Sequence, residues 1–146
     1  MLNMNVRPVA IDAMGGDHAP SATVEGACRA VRDGLPVLLV GDEAVLRPLI
    51  PRGIEVPILH APETVGMAES PSGAVRSRPD CSVRVAARAV REDRASALVS
   101  FGNTGALMAA SLMELGRLDG VERPAVITAL PRSDGGQLVL LDLGAN

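Results

Sequence analysis

The 146-residue sequence contains no Lys, no Trp and no Tyr, and Phe101 is its only aromatic residue. Without Lys, the chain itself supplies neither a Schiff base nor a lysine general base; all 14 basic residues are Arg. Without aromatics, the core has to be built from Val, Leu, Ile and Ala, the residues that fill buried parallel strands and their covering helices. Cys28 and Cys81 are the only cysteines. They are too few for a metal cluster, and nothing marks a secreted disulfide scaffold. Reduced thiols in a cytoplasmic protein are expected. No apolar run approaches membrane-spanning length, and no signal-peptide pattern is visible. The net charge of −3 gives no electrostatic footprint for nucleic acid. The sequence suggests no cofactor and no metal.

What is present is alternation. An apolar content of 47% over this length predicts one folded domain with a real core. Val9–Asp12 reads as a strand that ends in a polar, glycine-bearing loop, residues 13–20. A helix follows with Ser21 as the expected N-cap. Its Val24, Ala27, Cys28 and Val31 fall on one face, and Gly34 stands where a left-handed C-cap belongs. Residues 36–40 read as a buried strand, 42–49 as a short helix limited by Pro48, and 54–59 as a weaker strand. After an irregular stretch come a short helix at 72–77 and a clearer one from a cap at Asp80 to about Glu92. Residues 97–100 form another strand. The helix at 104–115 is apolar nearly all round and is expected to be buried. Strands at 126–130 and 137–143, joined by a turn at 133–136, complete the series. This order predicts an α/β three-layer sandwich with a mainly parallel sheet.

In such a fold ligands collect at the carboxyl ends of strands. Three polar segments occupy that kind of position: Asp12 to His18, Ser100 to Gly105, and Asp142 to Asn146. They are expected to share one cleft. In the second, Gly102 and Gly105 let a ligand approach the backbone, and Asn103 and Thr104 stand at a helix start. A helix start has free N–H donors and suits an anion. The spacing matches neither the dinucleotide fingerprint nor the P-loop.

Five stretches, in order, resemble the PlsX family of phosphate acyltransferases. They are residues 11–17 (Ile11-Asp12-Ala13-Met14-Gly15-Gly16-Asp17), 40–43, 100–108 (Ser100-Phe101-Gly102-Asn103-Thr104-Gly105-Ala106-Leu107-Met108), 123–125 and 141–146. The resemblance implies transfer of a fatty acyl group from acyl carrier protein to inorganic phosphate, giving acyl phosphate for phospholipid synthesis. It implies a fold similar to isocitrate dehydrogenase and phosphotransacetylase, a homodimer, and in some members peripheral association with the inner face of the membrane. Complete members are considerably longer, so the chain is expected to be a truncated N-terminal part that is inactive alone. Where the family commonly carries a Lys-containing run, this chain reads Arg76-Ser77-Arg78-Pro79-Asp80-Cys81-Ser82.

Phosphate dianion is itself a nucleophile, so the chemistry needs positioning and oxyanion stabilisation rather than a nucleophile-generating triad. Asn103 and Thr104 are candidates for that stabilisation, or simply caps of the next helix. His18 is a candidate proton donor to the leaving thiolate, or a solvated loop residue; Asp12 orients a donor, or caps a turn. Candidate phosphate or substrate contacts are Gly15, Gly16, Asp17, Ser100, Gly102, Gly105, Arg76, Arg78, Asp142 and Asn146. Arg84, Arg88 and Arg91 form a basic stripe that suits an acidic carrier protein, or an ordinary solvated face. Two other functions stay open at this point: a phosphotransacetylase-like enzyme acting on acyl-CoA, and a non-catalytic folding or dimerisation fragment.

Overall fold

The computed structural model describes residues 6–142, in two units, Met1–Gly116 and Arg117–Asn146. In the first, β1 (Val9–Asp12), β2 (Val37–Gly41), β3 (Ile58–His60) and β4 (Ala97–Ser100) make a sheet in the order β3-β2-β1-β4. Every neighbouring pair is parallel, and Asp12 is in register with both Val40 and Ser100. The parallel sandwich expected from the alternation is what the first unit forms.

The period of two in β2 divides the core. Val37 and Leu39 pack with Val24, Ala27 and Cys28 of α1 (Ser21–Arg32). Leu38 and Val40 pack with Ala10 against Val85, Ala86 and Ala89 of α4 (Ser82–Arg91) on the other face. All five residues of β2 are buried, as a central strand covered on both faces requires. A third cluster joins α3 (Pro71–Ser77) and α4 to α5 (Thr104–Leu115) through Val75, Val83, Ala87, Ala106 and Ala110. Helix α2 (Glu43–Leu46) and a 3₁₀ turn at Arg47–Leu49 follow β2.

Helix ends follow local chemistry. Gly34, at φ +83, closes α1: its N–H bonds to Val31 O, and that of Leu35 to Ala30 O. This paired reversal needs a left-handed residue. The same pair of bonds ends α4, from Asp93 to Val90 and from Arg94 to Ala89, with Asp93 at φ 58.

Several local expectations are corrected. Pro20, not Ser21, occupies the N-cap of α1 and makes no side-chain cap bond; the Ser21 hydroxyl donates to His18 O instead. Cys81, not Asp80, precedes α4, because the chain runs extended through Cys81 to bridge Glu63. The strand at 54–59 shrinks to Ile58–His60. Pro57 has no N–H and contributes only its carbonyl, to Leu39 N. Helix α5 buries only Ala106, Ala110 and Glu114, while Leu112, Met113 and Leu115 are exposed. Within this unit it packs on α3 and α4 along one stripe, so its composition overstated its burial.

The last two strands do not join the parallel sheet. In the second unit β5 (Ile127–Pro131) and β6 (Gln137–Leu141) form an antiparallel hairpin. Its turn carries Gly135 at φ +82, with Asp134 Oδ1 accepting from Gly136 N at 3.1 Å.

Candidate active site

Strand order places the site. The connection from β1 runs through α1 on one face, whereas β4 is followed by α5, which packs with α4 on the other. The loops leaving the carboxyl ends of β1 and β4 meet where Gly15 approaches Gly102 and Gly16 approaches Phe101, before leading to helices on opposite faces, and a crevice opens at this point. Gly15, Gly16 and His18 lie on one side of it, Phe101 on the other, and its volume is about 350 Å³. A larger hollow of about 580 Å³ lies along residues 47–57, and its lining contains no strand residue.

Beneath the crevice, Asp12 and Ser100 tie the two strand ends. Asp12 is 3% exposed. Ser100 Oγ donates to Asp12 Oδ2 at 2.7 Å and accepts from Gly102 N at 3.1 Å. The glycines follow from this closeness. A Cβ on Gly15 would lie 2.5 Å from Asp12 Oδ2 and 3.0 Å from Gly102 N. Gly16 has φ +120, and a Cβ there would meet Phe101. Asp12 Oδ1 has no protein partner among the described residues. Asp12, Ser82, Ser100 and Asn103 line a cavity of about 10 Å³, the size of one water.

The start of α5 is organised by Asn103. Its Oδ1 accepts from Ala106 N at 3.1 Å, capping the helix. Its Nδ2 donates to Met67 O at 3.1 Å and Glu69 O at 3.2 Å. Both ends of this side chain are thus engaged inside the protein, and the backbone N–H groups of Thr104 and Gly105 precede the first intrahelical bond. Thr104 is exposed. Gly105 abuts Pro71, whose Cγ would be 2.7 Å from an added Cβ.

His18 and Asp17 are exposed at the rim of the crevice. Arg76 is exposed on α3. Arg78 pairs with Glu69 at 2.8 Å and donates to Thr64 O. The Arg78 hydrogen bond, then one from Gly66 N, holds the Glu69 carboxyl below its ordinary range. The Arg84, Arg88 and Arg91 stripe meets an internal acid. Arg84 Nε and Arg91 each donate at 2.6 Å to opposite oxygens of Glu114, with Arg88 3.6 Å away. The Glu114 side chain is 3% exposed. Burial raises its pKa, but the Arg84 hydrogen bond and the charges of Arg88, Arg84 and Arg91 bring it below the usual range. Burial also pushes the Cys81 thiol up despite its place at a helix start.

The structure therefore joins Asp12, Gly15, Gly16, Ser100 and Gly102 at one pair of strand ends. Asp142 lies in the second unit at φ 61, its N–H bonded to Val126 O; Asn146 lies outside the described residues. Sequence reasoning missed Ser82, 1% exposed on the small cavity, and Thr23, whose hydroxyl holds Ala13 O and Pro20 O at 2.7 Å. No local signal marks Ser82, because its neighbour Asp12 is seventy positions away. It also missed Phe101 as a wall of the crevice.

Comparison with known proteins gives a consistent picture. Residues 7–146 match the family described as fatty acid synthesis protein. A phosphate acyltransferase of Anaeromyxobacter sp. is 50% identical over 145 residues, covering 96% of this chain and 40% of the relative. One from Desulfitobacterium hafniense is 51% identical over 143 residues, covering 94% and 42%. One from Halalkalibacterium halodurans is 48% identical over 141 residues, covering 94% and 42%. The chain spans about two fifths of the length of these curated relatives.

Proposed function

We propose a function from the premise that this chain belongs to the fatty acid synthesis protein family, the PlsX phosphate acyltransferases: it supplies the phosphate-holding part of a site that moves a fatty acyl group from a carrier thioester to inorganic phosphate. The observation that carries this reading is the crevice after β1 that Phe101 borders, three residues ahead of the glycine-bearing start of α5.

Phosphate would rest against the first-turn N–H groups of α5 at Thr104 and Gly105, with the Thr104 hydroxyl as a further donor. Gly15 and Gly102 let the ends of β1 and β4 close on each other, and Gly16 seats Phe101. Ser100 and Asp12 fix Gly102, and Asn103 fixes the helix start; these are positioning roles. A phosphate oxygen attacks the thioester carbon, and the resulting oxyanion is stabilised by the same kind of fixed donor. Collapse breaks the C–S bond, giving acyl phosphate and a thiolate, which takes a proton from His18 or from water. Acyl carrier protein is the proposed thioester donor. The proposal places the working enzyme in the cytoplasm as a homodimer, in peripheral contact with the membrane. No helix among the described residues is long and apolar enough to cross a membrane.

The proposal assigns little activity to these 146 residues alone, because a two-sided cleft is needed to exclude water from the thioester. The test is phosphate-dependent release of carrier thiol, with acyl phosphate trapped as the hydroxamate, for this chain and for a chain extended to the relatives' length. Hydroxamate that forms with the extended chain and rises with phosphate supports the reading. Thiol release indifferent to phosphate in the extended chain overturns it.

A further inference from the structure

We propose that Phe101 walls a slot for the apolar segment of an acyl ligand next to its reacting end, and so sets chain preference; this rests on the function proposed above. Phe101 is the only aromatic side chain in the protein, and it is 65% exposed. It does not wave in solvent from a loose loop. Its backbone and Cβ seat on Gly16, where an added Cβ would be 3.2 Å from Phe101 Cβ and 3.3 Å from its carbonyl oxygen. The residue stands directly after β4 and directly before Gly102, whose N–H is held by Ser100.

The crevice it borders has the wrong chemistry for a sugar or a base. Gly15, Gly16, Ala19 and Ala22 line it with small surfaces that carry no polar side chain. Thr23, the one hydroxyl in the lining, is committed to two backbone carbonyls. The other polar side chains of the lining are Asp17 and His18, both exposed. A volume of about 350 Å³ lies within the range of small-molecule sites, which are mostly apolar with a few polar groups fixing one end. Phe101 is followed three residues later by the α5 start, which the proposal takes as that polar end. A ligand with an anionic head and an unbranched alkyl tail matches that order: head at Thr104 and Gly105, tail along Gly16 and Ala22 under the ring.

The sequence makes the test clean, because apart from His18 and His60 the ring of Phe101 gives the only aromatic side-chain NMR signals. The chain is titrated with inorganic phosphate and with methyl-, butyl- and octylphosphonate. Affinity is expected to rise with alkyl length while the Phe101 ring signals move. Phe101→Ala should weaken octylphosphonate about tenfold, as loss of a partly covered apolar side chain would, and leave methylphosphonate unchanged. Phe101→Leu, which keeps an apolar side chain, should lose less and guards against a misfolded Ala variant. Amide shifts at Thr104 and Gly105 with phosphate, but no length dependence and no ring response, overturn the slot and leave the proposed function standing. Length-dependent ring shifts without any amide response to phosphate keep the slot and overturn the anion site. Ring signals that follow protein concentration rather than ligand overturn the slot in favour of a contact between copies.

Discussion

Ser100 donates its hydroxyl to Asp12 Oδ2 across 2.7 Å, between residues that are in register on adjacent parallel strands. The same oxygen receives the Gly102 N–H, so one hydroxyl fixes the strand end and the turn beyond it. Ser100→Ala leaves a buried carboxylate oxygen without its donor and an N–H without its acceptor. The expected loss is about 1–3 kcal/mol, measured by urea unfolding. A midpoint matching the parent would remove the bond from any structural role.

Two glycines should respond oppositely to the same substitution. Gly15→Ala puts a methyl group 2.5 Å from Asp12 Oδ2 and 3.0 Å from Gly102 N, so the contacts among Asp12, Ser100 and Gly102 must shift. It should cost about 1–3 kcal/mol and abolish phosphate-induced amide shifts. Gly73, within α3, has only Ser70 Oγ near it, at 3.8 Å. Gly73→Ala should stabilise by up to about 1 kcal/mol. Thermal melts of the pair check the contrast.

Gly34 has φ +83 and open space around its Cα, so only backbone strain opposes a side chain. Gly34→Ala should cost about 1–2 kcal/mol without altering ligand binding. A cost much larger than this would reveal packing that the structure does not contain.

Capping and ligand contact separate at neighbouring residues. Asn103→Ala removes the cap of α5 and two bonds to the 67–69 backbone, and should cost about 1–2 kcal/mol of stability. Thr104 is exposed, and Thr104→Ala should leave stability nearly unchanged while lowering phosphate-dependent turnover in the extended enzyme. Equal stability losses would place both side chains in the scaffold.

Glu114 should govern part of the acid response. Its folded pKa lies below the ordinary value, about 4.3 for Glu. Its stabilisation is therefore complete above that value and is lost as pH falls through the depressed one. Glu114→Gln should cost about 2 kcal/mol at pH 7, a figure kept low because Arg91 is 48% exposed. It should also flatten the stability curve below the ordinary carboxyl range. Reversing Arg84, Arg88 and Arg91 would surround this buried acid with like charge, so such a variant reports on folding as well as on carrier recognition. Single charge-neutral substitutions at Arg88, assayed across a salt series, are the cleaner probe of docking.

Legibility followed sequence distance. The limits of β1, β4 and α5 match the sequence reading residue for residue, because strand length, glycine turns and helix periodicity are local. Gly34 as a helix stop was legible for the same reason. The cap at Asp80 failed because the extended path through Cys81 depends on Glu63, eighteen residues earlier. The stripe of Arg84, Arg88 and Arg91 was visible, but its partner Glu114 lies 23 to 30 positions on, beyond any helical repeat. The glycines around the site were recognised as chemistry for a ligand; that they also make room for Asp12 and Ser100 emerges only in three dimensions.

Among the described residues β4 pairs with β1 alone, so its outer edge offers unsatisfied backbone groups to any strand that reaches it. That edge ends at Ser100, one residue from the ring that borders the crevice. A strand adding there would run alongside Ser100, next to Phe101, so widening the sheet would reach the residue that borders the proposed slot. The border of the sheet thus ends next to the border of the proposed slot.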